Sequence, residues 1–227
     1  MDSGDIMYEK ILNNSEFLDT MTKIGNIRFI TDGKWDWEHG LGHVKRVTTH
    51  MKQILEYLAV DNKTLELGMI AAILHDVGLI SGEKDEHAKH SASLVEKYLE
   101  RFEMPQLDID IIVQAISDHS NGDDFQSVIG ASLVLADKLD MSKHRVANSS
   151  IKDDLNNQIA AINEVKIVIN DTDLIIKYLT NGHFDPLILK NWKKAILTPM
   201  KISKYLKRNF ILLIDEIPYD YNNIINC

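Results

Sequence analysis

Cysteine is almost missing from this chain: among 227 residues the single Cys is Cys227. Disulfides and thiolate metal sites within one chain are thereby excluded, so any transition-metal site has to be built from imidazole and carboxylate. Positive charge is also in short supply. Lys and Arg number 25 against 34 Asp and Glu, a formal charge of −9, whereas a groove for long nucleic acid needs a basic face. No polynucleotide partner is expected. A small anionic ligand is compatible with this balance, because a metal or a few placed cations reverse the local field. Internal repeats and low-complexity tracts are absent, and no apolar run approaches the length of a membrane span. The opening MDSGDIMYEK carries three acids and no apolar h-region, so it does not read as a secretory signal. The expectation is a cytoplasmic protein with no membrane partner. What is present is a 44% hydrophobic chain, and folding at this length buries on the order of 70% of the unfolded surface, enough for one substantial core.

The apolar spacing is helical over most of the length. Segment 5–23 is loosely so, and a turn-rich stretch follows around Thr31-Asp32-Gly33. From Glu38 the pattern sharpens, with Val44, Val47, Met51, Ile54, Leu55 and Leu58 on one face. Asp61 or Asn62 caps a helix over Leu65–Asp76 that is apolar nearly all round, the mark of a central, buried helix, and Gly78 suits its stop. The polar SGEKDE then leads to a helix with Ala88, Ala92, Val95, Leu99 and Phe102 inward. A fourth carries Ile109, Ile112, Val113 and Ile116 to a stop near Asn121-Gly122, and a fifth runs from Phe125 to about Met141.

Beyond about residue 150 the character changes. A short helix over 151–163 precedes VKIVIN and LIIKYLT, β-branched segments at hairpin spacing, and after Asp185-Pro186 a last helix is expected to about residue 212. The fold class is mainly α, all-α but for this hairpin. It comprises an N-terminal helical segment (1–35), a helical core (36–148) and a C-terminal extension of helix, hairpin and helix (149–227). The hairpin's exposed edges raise a homodimer.

Nine histidines are present, and their positions carry the chemistry. His75-Asp76 closes the most apolar helix, and burying an imidazole beside a carboxylate is costly unless the two pair or bind a cation. His43 opens the first strong amphipathic helix, with His39 four residues before it and Arg46 three after, on one side of the helix. His119 ends the fourth helix as His75 ends the second. Asp137 interrupts the apolar VLADKLDM, and His87 and His90 start the third helix. Each alone is as easily a paired core residue, a cap or a surface group. Together they place imidazoles and carboxylates at the inner ends of several apolar helices, a donor set suited to Mn, Fe, Co, Ni or Zn, with Mg at carboxylate-rich positions.

The order His43 … His75-Asp76 … Asp137 resembles the signature of the HD-domain metal-dependent phosphohydrolases, a helical superfamily. HVKRV at 43–47 is similar to its H-x-x-R-V, LHDVG at 74–78 to its HD-x-G, and ADKLD at 136–140 to its last Asp motif. His87 in HAKHSA and His119 in ISDHS resemble the two further histidines of two-metal members. The match spans roughly residues 36–145. The sequence departs from several branches: Leu79 follows HDVG where cyclic-di-GMP-degrading relatives have Lys, and Gly-Tyr-Pro, HDIGH and HD-x-x-E-D motifs are missing. The arrangement is similar to that of the diadenosine-tetraphosphate hydrolase branch.

The resemblance implies that one or two divalent ions bind. His43, His75, Asp76 and Asp137 would hold the first, and Asp76, His87 and His119 the second, with His90 as the alternative to His87. It further implies attack of a metal-bound hydroxide on a small phosphoester or phosphoanhydride, of nucleotide type. Arg46 and Lys138 are expected to meet phosphate, with Arg145 and His39 as further substrate contacts, and Asp118 is a candidate proton donor beside Asp76, Arg46 and Lys138. Trp35 and Trp37 either pack or stack on a base. Two other readings use the same residues, a non-catalytic metal-stabilised nucleotide-binding or regulatory domain and a di-iron oxygenase.

Overall fold

A computed structural model describes residues 7–27, 37–120, 125–146 and 154–225. The turn at 31–33, Trp35, the stop at Asn121-Gly122, the boundary near 148–152 and Cys227 lie outside these residues. The chain forms two compact units, Met1–Ile27 with His39–Ala136, and Arg28–Glu38 with Asp137–Cys227.

Helices α1 (Met7–Leu12), α2 (Ser15–Asn26), α3 (Leu41–Tyr57), α4 (Asn62–Leu74), α5 (His87–Glu100) and α6 (Gln106–Asp118) belong to the first unit, together with a 3-10 helix at Val77–Ser81. α7 (Val128–Leu139) begins there, and its last turn passes into the second unit. The loose helix expected over 5–23 is two helices, because the Asn14 side chain accepts from the Glu16 and Phe17 N–H groups and starts α2 afresh. Asp61 caps α4 in the same way through the Thr64 N–H at 2.7 Å. α4 is the central helix, packing against α1, α3 and α6.

Segment Asn62–Ser81 is 20 residues long and apolar enough to cross a membrane by length and composition, contrary to the sequence expectation that no run approaches that length. In the fold 67% of its apolar window is buried, and Ile70, Ile73 and Leu74 are core residues.

Gly78 departs from its expected role. It does not end α4 but lies within the 3-10 helix, where a Cβ would come within 3.0 Å of Ser91 N and of His87 O. The residue is small because the start of α5 packs directly on its backbone, and its N–H donates to the buried Ser91 Oγ at 2.8 Å. The left-handed position that favours glycine is Gly82, at φ 80°.

The second unit is α+β, so an all-α description fails there. After α8 (Asp154–Ala160), β1 (Ile162–Ile169) and β2 (Asp173–Thr180) form the expected antiparallel hairpin. A 3-10 helix (Pro186–Trp192) and α9 (Lys194–Tyr205) follow, then β3 (Asn209–Ile214), β4 (Ile217–Pro218) and α10 (Asn222–Ile225). The expected last helix therefore stops at Tyr205, since the chain takes a left-handed turn at Lys207 (φ 56°) and Phe210–Ile214 pairs parallel with β2. The sheet order is β1-β2-β3-β4. β3 thus covers the outer edge of β2, and among the described residues no strand pairs with the outer edge of β1.

Candidate metal centre

The first unit brings five imidazoles around one carboxylate. Asp76 is buried at the junction of α4 and the 3-10 helix. Its Oδ2 lies 3.1 Å from His39 Nδ1 and 3.4 Å from both His43 Nε2 and His75 Nε2, while its Oδ1 lies 3.5 Å from His87 Nε2 and 3.7 Å from His119 Nε2. The Nε2 atoms also face each other in pairs, His43 to His75 at 3.3 Å and His87 to His119 at 3.1 Å.

Local backbone fixes several of these rings. α4 ends at Leu74 and α6 at Asp118, so the carbonyls of their last turns lack helical N–H partners. His75 Nδ1 takes the Ala72 carbonyl at 2.7 Å, and His119 Nδ1 the Ile116 carbonyl at 2.6 Å. His87 Nδ1 does the same with the Lys84 carbonyl at 2.7 Å. A carbonyl only accepts, so the proton of each ring sits on Nδ1 and a neutral ring presents its Nε2 lone pair to Asp76. Two lone pairs 3.1 Å apart, as on His87 and His119, repel unless a cation lies between them. The donor set thus fits a divalent metal, and it is made of nitrogen and oxygen without sulfur.

Electrostatics prepare the same state. Burial alone would raise the Asp76 pKa, but the imidazoles around it, His75 first and then His119, His39 and His43, outweigh burial and hold the carboxyl well below its usual range. Burial lowers the His39 and His119 pKa values against the opposing pull of Asp76. An ionised carboxylate among neutral imidazoles is the form that binds metal. Groups able to hold an ion include His39, His43 and Asp76, and also His75, Asp76 and His119.

Other residues singled out in the sequence are placed as follows. His90 is exposed, whereas His87 reaches Asp76. Arg46 is half-buried on α3, one turn after His43. Asp118 accepts from Gln114 Nε2 at 2.8 Å. In the second unit, half-buried Asp137 and Lys138 pair with each other on the last turn of α7. Arg145 is buried, with its guanidinium 3.3 Å from Asp140 and stacked over Trp37. Trp37 is a packing residue: its indole N–H donates to Asn156 at 2.8 Å and its ring meets Trp192 edge-on at 4.9 Å. Sequence reasoning missed Lys84, whose backbone holds His87, and Ser91, which ties α5 to the 3-10 helix. Ring-holding carbonyls have no side-chain signature, although their placement three residues before each histidine is one.

Residues 40–142 match the HD domain family. That stretch contains His43, His75-Asp76, His87, His119 and Asp137, and it is an HD domain. A solved structure of a predicted HD superfamily hydrolase from an uncultured Thermotogales bacterium is similar at a TM-score of 0.44 and 23% identity, over 56% of this chain and 67% of that one. None of the curated proteins matches the sequence. The HD domain and its His/Asp cluster support a metal-dependent, hydrolase-type function.

Proposed function

We propose that the protein is a two-metal phosphohydrolase that cleaves a small phosphoester or phosphoanhydride of nucleotide type. Asp76 carries this reading: one carboxylate oxygen faces His43 and His75 while the other faces His87 and His119, the disposition of a carboxylate that bridges two cations. His43 and His75 would hold one ion, and His87 and His119 the other. Metal held by these residues would supply a nucleophilic water near neutral pH and positive charge for the phosphate.

The chain's own part is to keep the donors aimed. The Ala72, Lys84 and Ile116 carbonyls lock three rings, so no rotation has to be reorganised when substrate arrives. Arg46 supplies positive charge for phosphate oxygens. Arg145 is given a supporting role, pairing with Asp140 while its guanidinium lies over Trp37. Asp118, next to His119, is the acid assigned to the leaving group.

The test is release of phosphate from a panel of nucleotides and simple phosphate esters by chelator-treated protein reloaded with Mn, Co, Fe, Ni, Zn or Mg. Metal-dependent hydrolysis that Asp76→Asn abolishes together with bound metal is expected. Metal-loaded protein that hydrolyses no member of the panel contradicts the reading.

A further inference from the structure

The surroundings of Asp76 are uneven. Three ring nitrogens crowd Oδ2 within 3.4 Å, those of His39, His43 and His75, and only two approach Oδ1, at 3.5 and 3.7 Å. Exposure sets one ring apart: the His87 side chain is 17% exposed, against 0% for His43 and His75, 2% for His119 and 8% for His39. His39 lies one residue before the stretch that matches the HD family, and the resemblance assigns it no metal.

Resting on the two-metal reading, we propose that His39 is a further metal ligand through Nδ1 and that it makes the centre asymmetric. One ion would be held by His39, His43, His75 and Asp76, and the other by the fewer donors Asp76, His87 and His119, beside the partly exposed His87, leaving the second ion the room for phosphate oxygens. Three considerations favour ligation over a simple hydrogen bond to Asp76. His75 Nε2 is a lone pair, because its Nδ1 donates to Ala72, so it approaches Oδ2 at 3.4 Å without a proton to share. Donor atoms that converge on one oxygen in this way are arranged for a common cation. Metal bonds of ~2.0–2.2 Å put neighbouring donor atoms roughly 3.0–3.4 Å apart, and the His39 Nδ1 to Asp76 Oδ2 distance of 3.1 Å falls in that range. Finally, His39 sits edge-on to His43, ring centroids 5.7 Å apart, as two imidazoles on one ion do.

Cobalt(II) reports this directly. Each ligating imidazole keeps one ring N–H, which exchanges with water and is shifted by the paramagnetic ion far outside the ordinary proton range. In full-length protein loaded with cobalt(II), five such signals are expected, from His39, His43, His75, His87 and His119, and His39→Gln should remove one. In that variant the more tightly held ion should weaken by more than the ~10–100-fold typical of losing a mere hydrogen-bonding partner to a ligand. Four signals in the unaltered protein, or a count and affinity that His39→Gln leaves unchanged, overturn the assignment while leaving the two-metal reading intact. Failure to take up cobalt at all overturns both. The count in the unaltered protein decides even if the variant does not fold.

Discussion

At the scale of single residues, the centre is prepared by tautomer and charge. His39 and His119 have pKa values lowered from 6.5 by burial. An unfolded imidazole gains its proton near pH 6.5 and these folded ones only below it, so the unfolded state binds more protons there. Stability of the metal-free protein is therefore lost as pH falls below 6.5. Asp76 acts with the same sign in a lower window, because its folded pKa lies well below 3.8; its contribution is present above 3.8 and is lost as pH falls below that value. Urea unfolding of chelated protein should show a lower midpoint at about pH 5.5 than at about pH 7.5, and an equal or higher one would contradict this account. His87→Ala should lower bound metal by one ion per chain and spare the other, since His43 and His75 lie on the far oxygen of Asp76; full retention of metal would reassign His87. The residues around Asp76 were legible because each interrupts an apolar pattern with a group too costly to bury unpaired. His39 was read as a substrate contact because four-residue spacing gives a shared helix side but not the carboxylate it meets.

At the scale of elements, the decisive contact is the 3-10 helix against α5. Adding a methyl at Gly78 would collide with backbone atoms of His87 and Ser91, which cannot swing aside as a flexible side chain does. Gly78→Ala should cost on the order of 1–3 kcal/mol in denaturant unfolding and weaken the ion on the His87 side, because α5 carries that ligand away. A variant as stable as the parent, with full metal, would show that the contact does not matter. Removing the α4 cap by Asp61→Ala should lower the urea midpoint in the same measurement, with metal content unchanged; no loss would mean the cap is dispensable. Helices with one apolar face were readable because burial imposes the 3.6-residue period. β3 was not, because Phe210–Ile214 continues the apolar rhythm of α9 and only its pairing with β2 makes it a strand. The turn from β3 to β4 places both Asp215 and Glu216 at positive φ, 47° and 67°, a primed turn without the usual Asn-Gly or Asp-Gly signal.

At the scale of the whole molecule, the chain forms two compact units. The first is built from α-helical stripes and the second from the sheet with α8 and α9. The change of composition after residue 150 announced the second unit, but not that α7 would pass from one to the other at Ala136/Asp137, since an uninterrupted helix offers no boundary in its sequence. A ligand that binds only the folded state stabilises it, by about 2.7 kcal/mol at a hundredfold excess over its dissociation constant. Chelator should accordingly lower the thermal midpoint and added divalent metal restore it, and an unmoved midpoint would speak against a site formed by folding. The most direct test of the central claim is elemental analysis of protein purified without chelator, counting Mn, Fe, Co, Ni, Zn and Mg per chain. Two ions per chain is the result that Asp76, with imidazoles facing both of its oxygens, predicts. No metal, and none taken up on addition, would contradict it.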